Sequence, residues 1–226
     1  MTVEVNLSAG VFSYLGSGDD GEPTVLLHAM GRAAIDWLPL FELIPRRYRL
    51  LALDMRGHGG SCRPTDYSFE AMRDDLREFA DELGLDRFHL VGHSMGATTA
   101  ILFAETWPTR VDRLVLEDTP PPSGKVQAPK PPDQPEKPVD FDWALIGAMV
   151  QQLNRPDPRW WSELEHITAP TLIVAGGTSS FIDQEELSEV ARRIPNARLV
   201  TIDVGHHVHR TRPEQFAELV TDFLSE

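Results

Sequence analysis

Short apolar runs alternate with longer stretches of helical periodicity along the chain. Residues 24–28 (TVLLH), 49–53 (RLLAL), 88–91 (FHLV), 113–117 (RLVLE), 171–175 (TLIVA) and 198–202 (RLVTI) read as strands. Each is short, nearly continuous in apolar side chains and bounded by turn residues, the pattern of a parallel sheet covered on both faces. Between them, Phe69, Met72, Leu76, Phe79 and Leu83 recur at helical spacing behind Ser68, a good N-cap, and Gly84 marks the stop. A second helix is expected from Ser94 to just before Pro108, a third over 183–194, and a last from Pro213 to the C-terminus, since proline suits a first helical turn. This alternation predicts an α/β class, with a mostly parallel, doubly wound sheet and helices on both faces.

One stretch breaks the rhythm. Residues 119–138 (TPPPSGKVQAPKPPDQPEKP) are dense in proline, which lacks the amide donor of regular structure, so an extended or mobile loop is expected. Apolar positions return at 141–153, a further helix. The reading is a core of residues 1–118 and 169–226 with a small proline-rich and helical cap at 119–168. Trp143, Trp160 and Trp161 favour docking of that cap.

Composition narrows the functional classes. At 226 residues and a formal charge of −14, the chain suits one compact domain whose surface repels a phosphate backbone. Nucleic acid and anionic membrane are therefore not expected partners; a small-molecule substrate is. Cys62 is the single cysteine, which excludes an intramolecular disulfide and a thiolate metal cluster. No apolar run reaches membrane-spanning length and no secretory signal is visible, so a cytoplasmic location is the simplest expectation. Oligomeric state is not legible.

The sharpest chemical signal is Gly92-His93-Ser94-Met95-Gly96, a G-x-S-x-G match that directly follows a strand and directly precedes a helix. A serine on such a turn projects its hydroxyl above the sheet edge, and the helix N-terminus offers free amides to a developing oxyanion. With Asp54-Met55-Arg56-Gly57-His58-Gly59-Gly60-Ser61 and Val204-Gly205-His206 before the final helix, the chain resembles the α/β-hydrolase fold family over nearly its whole length. The resemblance implies Ser94 as nucleophile and His206 as its base. It also implies oxyanion amides from Met95 and from Met30 in the loop His28-Ala29-Met30-Gly31, where Ala29 departs from the usual glycine.

The acid is less direct. The family's usual position holds Ser179, which cannot neutralise an imidazolium. Asp118, at the end of the strand after the nucleophile helix, is preferred; Asp183, which could instead cap a helix, and Glu117, pointing the other way by strand alternation, follow. His207 and His209 beside His206 raise a metal site, but no fourth ligand clusters with them, so neither metal nor cofactor is expected. His28, Trp143, Trp160 and His207 are candidate pocket residues. The reading is a serine hydrolase cleaving an ester or related acyl bond of a small, moderately hydrophobic substrate. A cofactor-free perhydrolase or carbon–carbon hydrolase and a non-catalytic ligand-binding protein stay open beside it.

Overall fold

A computed structural model describes residues 1–125 and 127–226; Val126, inside the proline-rich run, lies outside the described residues. In chain order the elements are β1 (Thr2–Leu7), β2 (Gly10–Gly16), β3 (Glu22–Leu27), α1 (Leu38–Leu43), β4 (Tyr48–Leu53), α2 (Phe69–Glu82), β5 (Phe88–His93) and α3 (Met95–Thr106). They continue with β6 (Val111–Glu117), α4 (Ala144–Asn154), α5 (Arg159–Ser162), β7 (Thr171–Ala175), α6 (Gln184–Arg193), β8 (Ala197–Thr201), α7 (Val208–Thr211) and α8 (Pro213–Leu224). The eight strands form one sheet in the order β1-β2-β4-β3-β5-β6-β7-β8, antiparallel at β1–β2–β4 and parallel from β4 onward.

All six strands expected from the apolar runs are present. The hairpin β1–β2 was not anticipated, although Val3, Val5 and Leu7 alternate with polar residues as a half-exposed edge strand should. Both faces of the inner parallel strands β4, β3, β5, β6 and β7 are covered, which is why their sequences are nearly continuously apolar, while the edge strand β8 is half exposed. Neighbouring residues go to opposite layers: Leu27, Leu90, Leu116 and Ile173 pack toward α2, α3, α4 and α6, while Leu26, Val91, Val115 and Leu172 pack toward α1 and α8. Ser68 caps α2 by accepting the Ala71 amide at 3.2 Å, and Pro213 occupies the first turn of α8.

The topology positions the site. Strand order runs outward from β3 to β4, then returns to β5 on the other side of β3, leaving a switch point between β3 and β5 where the loops diverge. Register levels the carboxyl ends: Leu27 pairs with Gly92, His93 with Glu117, and Glu117 with Val174. The residues that follow, 28–30, 94, 118 and 175–176, therefore emerge along one edge. The conspicuous D-x-R-G segment buttresses that edge. Asp54 accepts the Ala34 and Gly60 amides at 2.7 and 3.1 Å, and Arg56 clamps Asp75 through two hydrogen bonds of 2.5 and 2.6 Å.

Glu105, on the buried helix α3, is only 7% exposed, and its Oε1 has no hydrogen-bond partner among the described residues. Burial, assisted by nearby Glu163, pushes its carboxyl up to about 9. The folded chain thus holds a proton that the unfolded chain releases near pH 4–5. Stability from this group is complete below that range and declines as pH rises through about 9. Urea midpoints measured from pH 5 to 9 should fall less steeply for Glu105→Gln than for the wild type; parallel slopes would contradict this protonation.

Candidate active site

Ser94 sits between β5 and α3 with φ of +53° and ψ of −118°, a conformation that costs backbone energy and lifts its side chain off the sheet edge. Close packing explains the flanking glycines. A Cβ at Gly92 would stand 2.5 Å from the Gly96 carbonyl oxygen, and one at Gly96 would collide with the Leu27 carbonyl. The turn is held by its neighbours on both sides: the Ser94 amide donates to the Glu117 carbonyl at 3.4 Å and the Gly96 amide to the His28 carbonyl at 3.1 Å. Ala97 and Thr98 donate back to the Ser94 carbonyl, so Gly96, Ala97 and Thr98 are engaged. Met95, as the first helical residue, has no acceptor within its helix.

His206 lies in the loop after β8. The Val204 and Gly205 amides donate to the Gly176 carbonyl at 3.1 and 2.9 Å, and Gly205 takes φ of +87° to deliver the next residue inward. His206 Nδ1 meets Asp118 Oδ2 at 2.9 Å. Of the three acids weighed from sequence, Asp118 is the one that touches this ring. It leaves β6 with φ of +46° and carries three further hydrogen bonds: from the Gly176 amide (2.7 Å), the Ser180 hydroxyl (2.5 Å) and Gln184 Nε2 (3.3 Å). Burial favours the neutral acid, but these donors, His206 foremost, outweigh it and hold the carboxyl below its ordinary range. Asp183 caps α6 by accepting the Glu185 amide at 2.9 Å. Ser179 donates its amide to Asp203, while its neighbour Ser180 serves Asp118.

Glu117 faces the other layer and takes a different histidine. It accepts His209 Nδ1–H at 2.7 Å and the His209 amide at 2.9 Å. Burial opposes charge on both partners; nevertheless their mutual attraction, with Asp36 3.4 Å from His209 Nε2, pushes His209 up to about 9 and holds Glu117 well below the usual carboxylate range. Among the described residues the group of three potential metal ligands is His93, Glu117 and His209, with ligand atoms within 4.8 Å of one another, and not His206, His207 and His209. Both Glu117 oxygens are already engaged by His209. His93 is kept neutral by burial, pushed down to about 4, and donates Nε2–H to the His206 carbonyl at 2.8 Å.

A cleft of about 490 Å³ opens over Ser94, walled by Met30, Met95, Phe69, Met149, Leu153, Phe181 and Ile182 and by the prolines at 120–122 and 129. None of the four residues named from sequence as pocket candidates lines it. His28 is completely buried because it ties the β3 loop, donating Nδ1–H to the Ala29 carbonyl (2.8 Å) and accepting the Met55 amide (3.0 Å). His58, within the Asp54–Ser61 segment, does the same for that loop by accepting the Gly31 amide at 3.0 Å. Trp143 stacks on Phe141. Trp160 packs on Phe69 and donates to Glu70, and His207 is wedged edge-on against His93 and His206.

The walls missed by sequence reasoning come largely from the proline-rich run, expected as an extended or mobile loop and found without helix or strand among its described residues. It is anchored at particular points: Trp161 Nε1 donates toward the Pro121 and Pro122 carbonyls, each at 3.2 Å. Asn154 exchanges two hydrogen bonds with the Ala128 backbone. Phe181 closes one side. Its ring lies 4.5 Å from that of His206 although the residue is 80% exposed. Sequence held a signal for neither, beyond the apolar character of the positions.

Comparison with known proteins agrees with this fold. A family profile described as the alpha/beta hydrolase fold matches residues 22–144. The chain belongs to the alpha/beta hydrolase fold family. The sn-1-specific diacylglycerol lipase ABHD11 of Mus musculus is 31% identical over 260 residues, spanning 91% of this chain and 83% of that protein. The N-formylmaleamate deformylase of Pseudomonas putida is 26% identical, spanning 93% and 91%. In structure, the enol-lactonase of Burkholderia xenovorans LB400 superposes with a TM-score of 0.87 at 21% identity, covering 99% of this hydrolase and all of that chain. This hydrolase is an enzyme by that membership. Among the described residues, no helix is long and apolar enough to cross a membrane.

In this hydrolase Gly176 is a contact point of the β7 and β8 loops. A Cβ there would collide with the Gly205 carbonyl and come within 3.1 Å of Asp118 Cγ. Gly176→Ala should therefore lower stability by about 1–3 kcal/mol, as overpacking does, read as a reduced urea midpoint; an unchanged midpoint would show that the two loops part freely.

Proposed function

We propose that the protein is a serine hydrolase that cleaves an ester or related acyl bond of a small, moderately hydrophobic substrate. Ser94 is the nucleophile, His206 the general base and Asp118 its orienting acid, and residues 119–168 form the cap over the site. The observation that carries this reading is the buried Asp118–His206 hydrogen bond, in a loop whose own carbonyl is bonded to His93, the residue directly before the strained Ser94 turn. The names of the relatives, a diacylglycerol lipase and a deformylase, support acyl-bond hydrolysis without choosing the substrate.

The chemistry follows from the donors. Asp118 accepts Nδ1–H and so fixes the tautomer in which Nε2 is bare and basic. That nitrogen takes the Ser94 proton as the hydroxyl oxygen attacks the acyl carbon, and Asp118 stabilises the imidazolium that results. The Met95 amide at the head of α3 and the Met30 amide, from a loop braced by His28 and His58, donate to the oxyanion; each such donor is typically worth about 2.7–4 kcal/mol in the barrier. His206 returns the proton to the leaving group, and water repeats the sequence to free the acid. Methionines, prolines and Phe181 around Ser94 offer an apolar surface to the acyl chain. Lys125, paired with Glu186 at 2.9 Å, is the cationic side chain among the cleft's walls.

A fluorophosphonate probe should label the wild type, and Ser94→Ala should abolish that labelling. A folded wild type that resists the probe would instead favour a non-catalytic binding protein. Asp118→Asn keeps a residue tolerant of positive φ and should lower kcat about 10²–10⁴-fold, as a mis-set tautomer does. Near-wild-type turnover would remove Asp118 from the triad. Across p-nitrophenyl esters, kcat/KM should rise from acetate to hexanoate, gaining up to about tenfold per pair of methylenes buried. A flat or falling series would move the acyl chain out of this cleft.

A further inference from the structure

Glu117 and Asp118 are consecutive, yet they address two histidines three residues apart. Asp118 holds the ring of His206, while Glu117 holds both the backbone amide and Nδ1 of His209. Glu117 also pairs with His93 across the β5–β6 register, and its carbonyl accepts the Ser94 amide. His93 closes the circuit by donating Nε2–H to the carbonyl of His206 at 2.8 Å. Its other nitrogen is buried without a partner, so that single bond is the polar contact its side chain makes. The rings of His206, His207 and His209 all pack around His93, with centroids 4.7, 5.2 and 5.1 Å away.

None of His93, Glu117 and His209 lines the cleft, and all three are essentially inaccessible. Apolar residues of similar volume would in general stabilise such a place at least as well as a buried ion pair. What an ion pair adds is direction. The loop that carries His206 springs from β8, with β6 and β7 standing between that strand and β5, and runs back along the sheet edge to bond Asp118 at the end of β6. From the Glu117 side it is pinned at residue 209 and from the His93 side at residue 206. With both ends of the four-residue stretch held, the backbone that carries the His206 imidazole is fixed from two sides.

We propose that Glu117, His209 and His93 are positioning residues for the general base: they set the backbone of 206–209 so that the His206 ring meets Asp118 and Ser94 together. This rests on the serine-hydrolase reading above. His93 packs against the His206 ring, and all three act by holding the backbone of 206–209. A displacement of about 1 Å at a reacting group is enough to cost about a hundredfold in rate.

His93→Phe keeps a ring in the histidine cluster and deletes the donor, whereas His93→Gln retains an N–H near the place of Nε2–H. With a p-nitrophenyl ester, His93→Phe should lower kcat about 10–100-fold while KM changes by less than about threefold, and slow fluorophosphonate labelling in proportion. His93→Gln should recover most of that loss. Glu117→Gln should behave as His93→Phe. Proton NMR supplies a readout independent of turnover: the far-downfield resonance of the His206 Nδ1–H bound to Asp118 should persist in wild type and His93→Gln and broaden or vanish in His93→Phe. The proposal is overturned if folded His93→Phe keeps wild-type kcat and the resonance, or if His93→Gln is as impaired as His93→Phe. A wild type that shows the resonance but resists labelling would defeat the hydrolase reading while leaving the resonances of the variants to decide the positioning claim.

Discussion

The site depends on one register. Because Leu27 lies opposite Gly92, His93 opposite Glu117 and Glu117 opposite Val174, four parallel strands end at the same height, and the first residues beyond them share an edge. A slip of one residue between any two of these strands would turn every side chain to the other layer. Asp118 and Glu117 would then exchange roles. Leu116 and Val115 are each wholly buried but in different cores, one beneath α3 and one against α8, so that slip would have to exchange side chains between two packed layers. Hydrophobic packing thus decides which acid faces which histidine, long before any polar group contributes.

The two acids solve the problem of burying charge in different ways. Asp118 is surrounded by neutral donors, the Gly176 amide, Ser180 and Gln184, so its charge is held whether His206 is neutral or protonated. A base that gains and loses a proton needs such an orienting partner. Glu117 has a fixed counterion in His209 and supports no change of state. The division explains the Ser179 departure as well. The usual acid position is occupied by a turn that contributes hydroxyl and amide donors, and its Ser180 is directed at Asp118 from outside the strand.

Legibility followed the physics of each signal. Buried parallel strands announce themselves by continuous apolar runs, and Ser94, His206 and the preference for Asp118 came from motif and strand position. Asp183 read correctly as a potential cap, because the cap signal is local. The edge hairpin was overlooked although Val3, Val5 and Leu7 carried its period. What sequence could not show were contacts made across the fold. His28 looks like a loop histidine until Met55 and Ala29 consume both its nitrogens. The tryptophans read equally as pocket walls or as anchors of the cap, since an aromatic that anchors a segment and one that lines a cavity have the same composition and periodicity. The proline-rich run read as an extended or mobile loop, and its contacts with Asn154 and Trp161 carry no local signal because those residues lie well beyond it in the chain.

Backbone strain points to the same two residues by an independent route. Among the described residues, Ser94 and Asp118 are the non-glycine positions with positive φ, at +53° and +46°. Such conformations typically cost about 1–3 kcal/mol each and persist only where their surroundings over-determine them. Neither is a turn that glycine could relieve without loss, since each must carry a side chain outward at the end of a strand. Both are locked by bonds between strands: Ser94 donates to Glu117, and Asp118 donates to the Val174 carbonyl at 2.8 Å. A fold selected only for stability would relax these positions. Their coincidence with the hydroxyl and the carboxylate of the proposed triad accords with the hydrolase reading, and stability elsewhere in the two cores has to offset their cost.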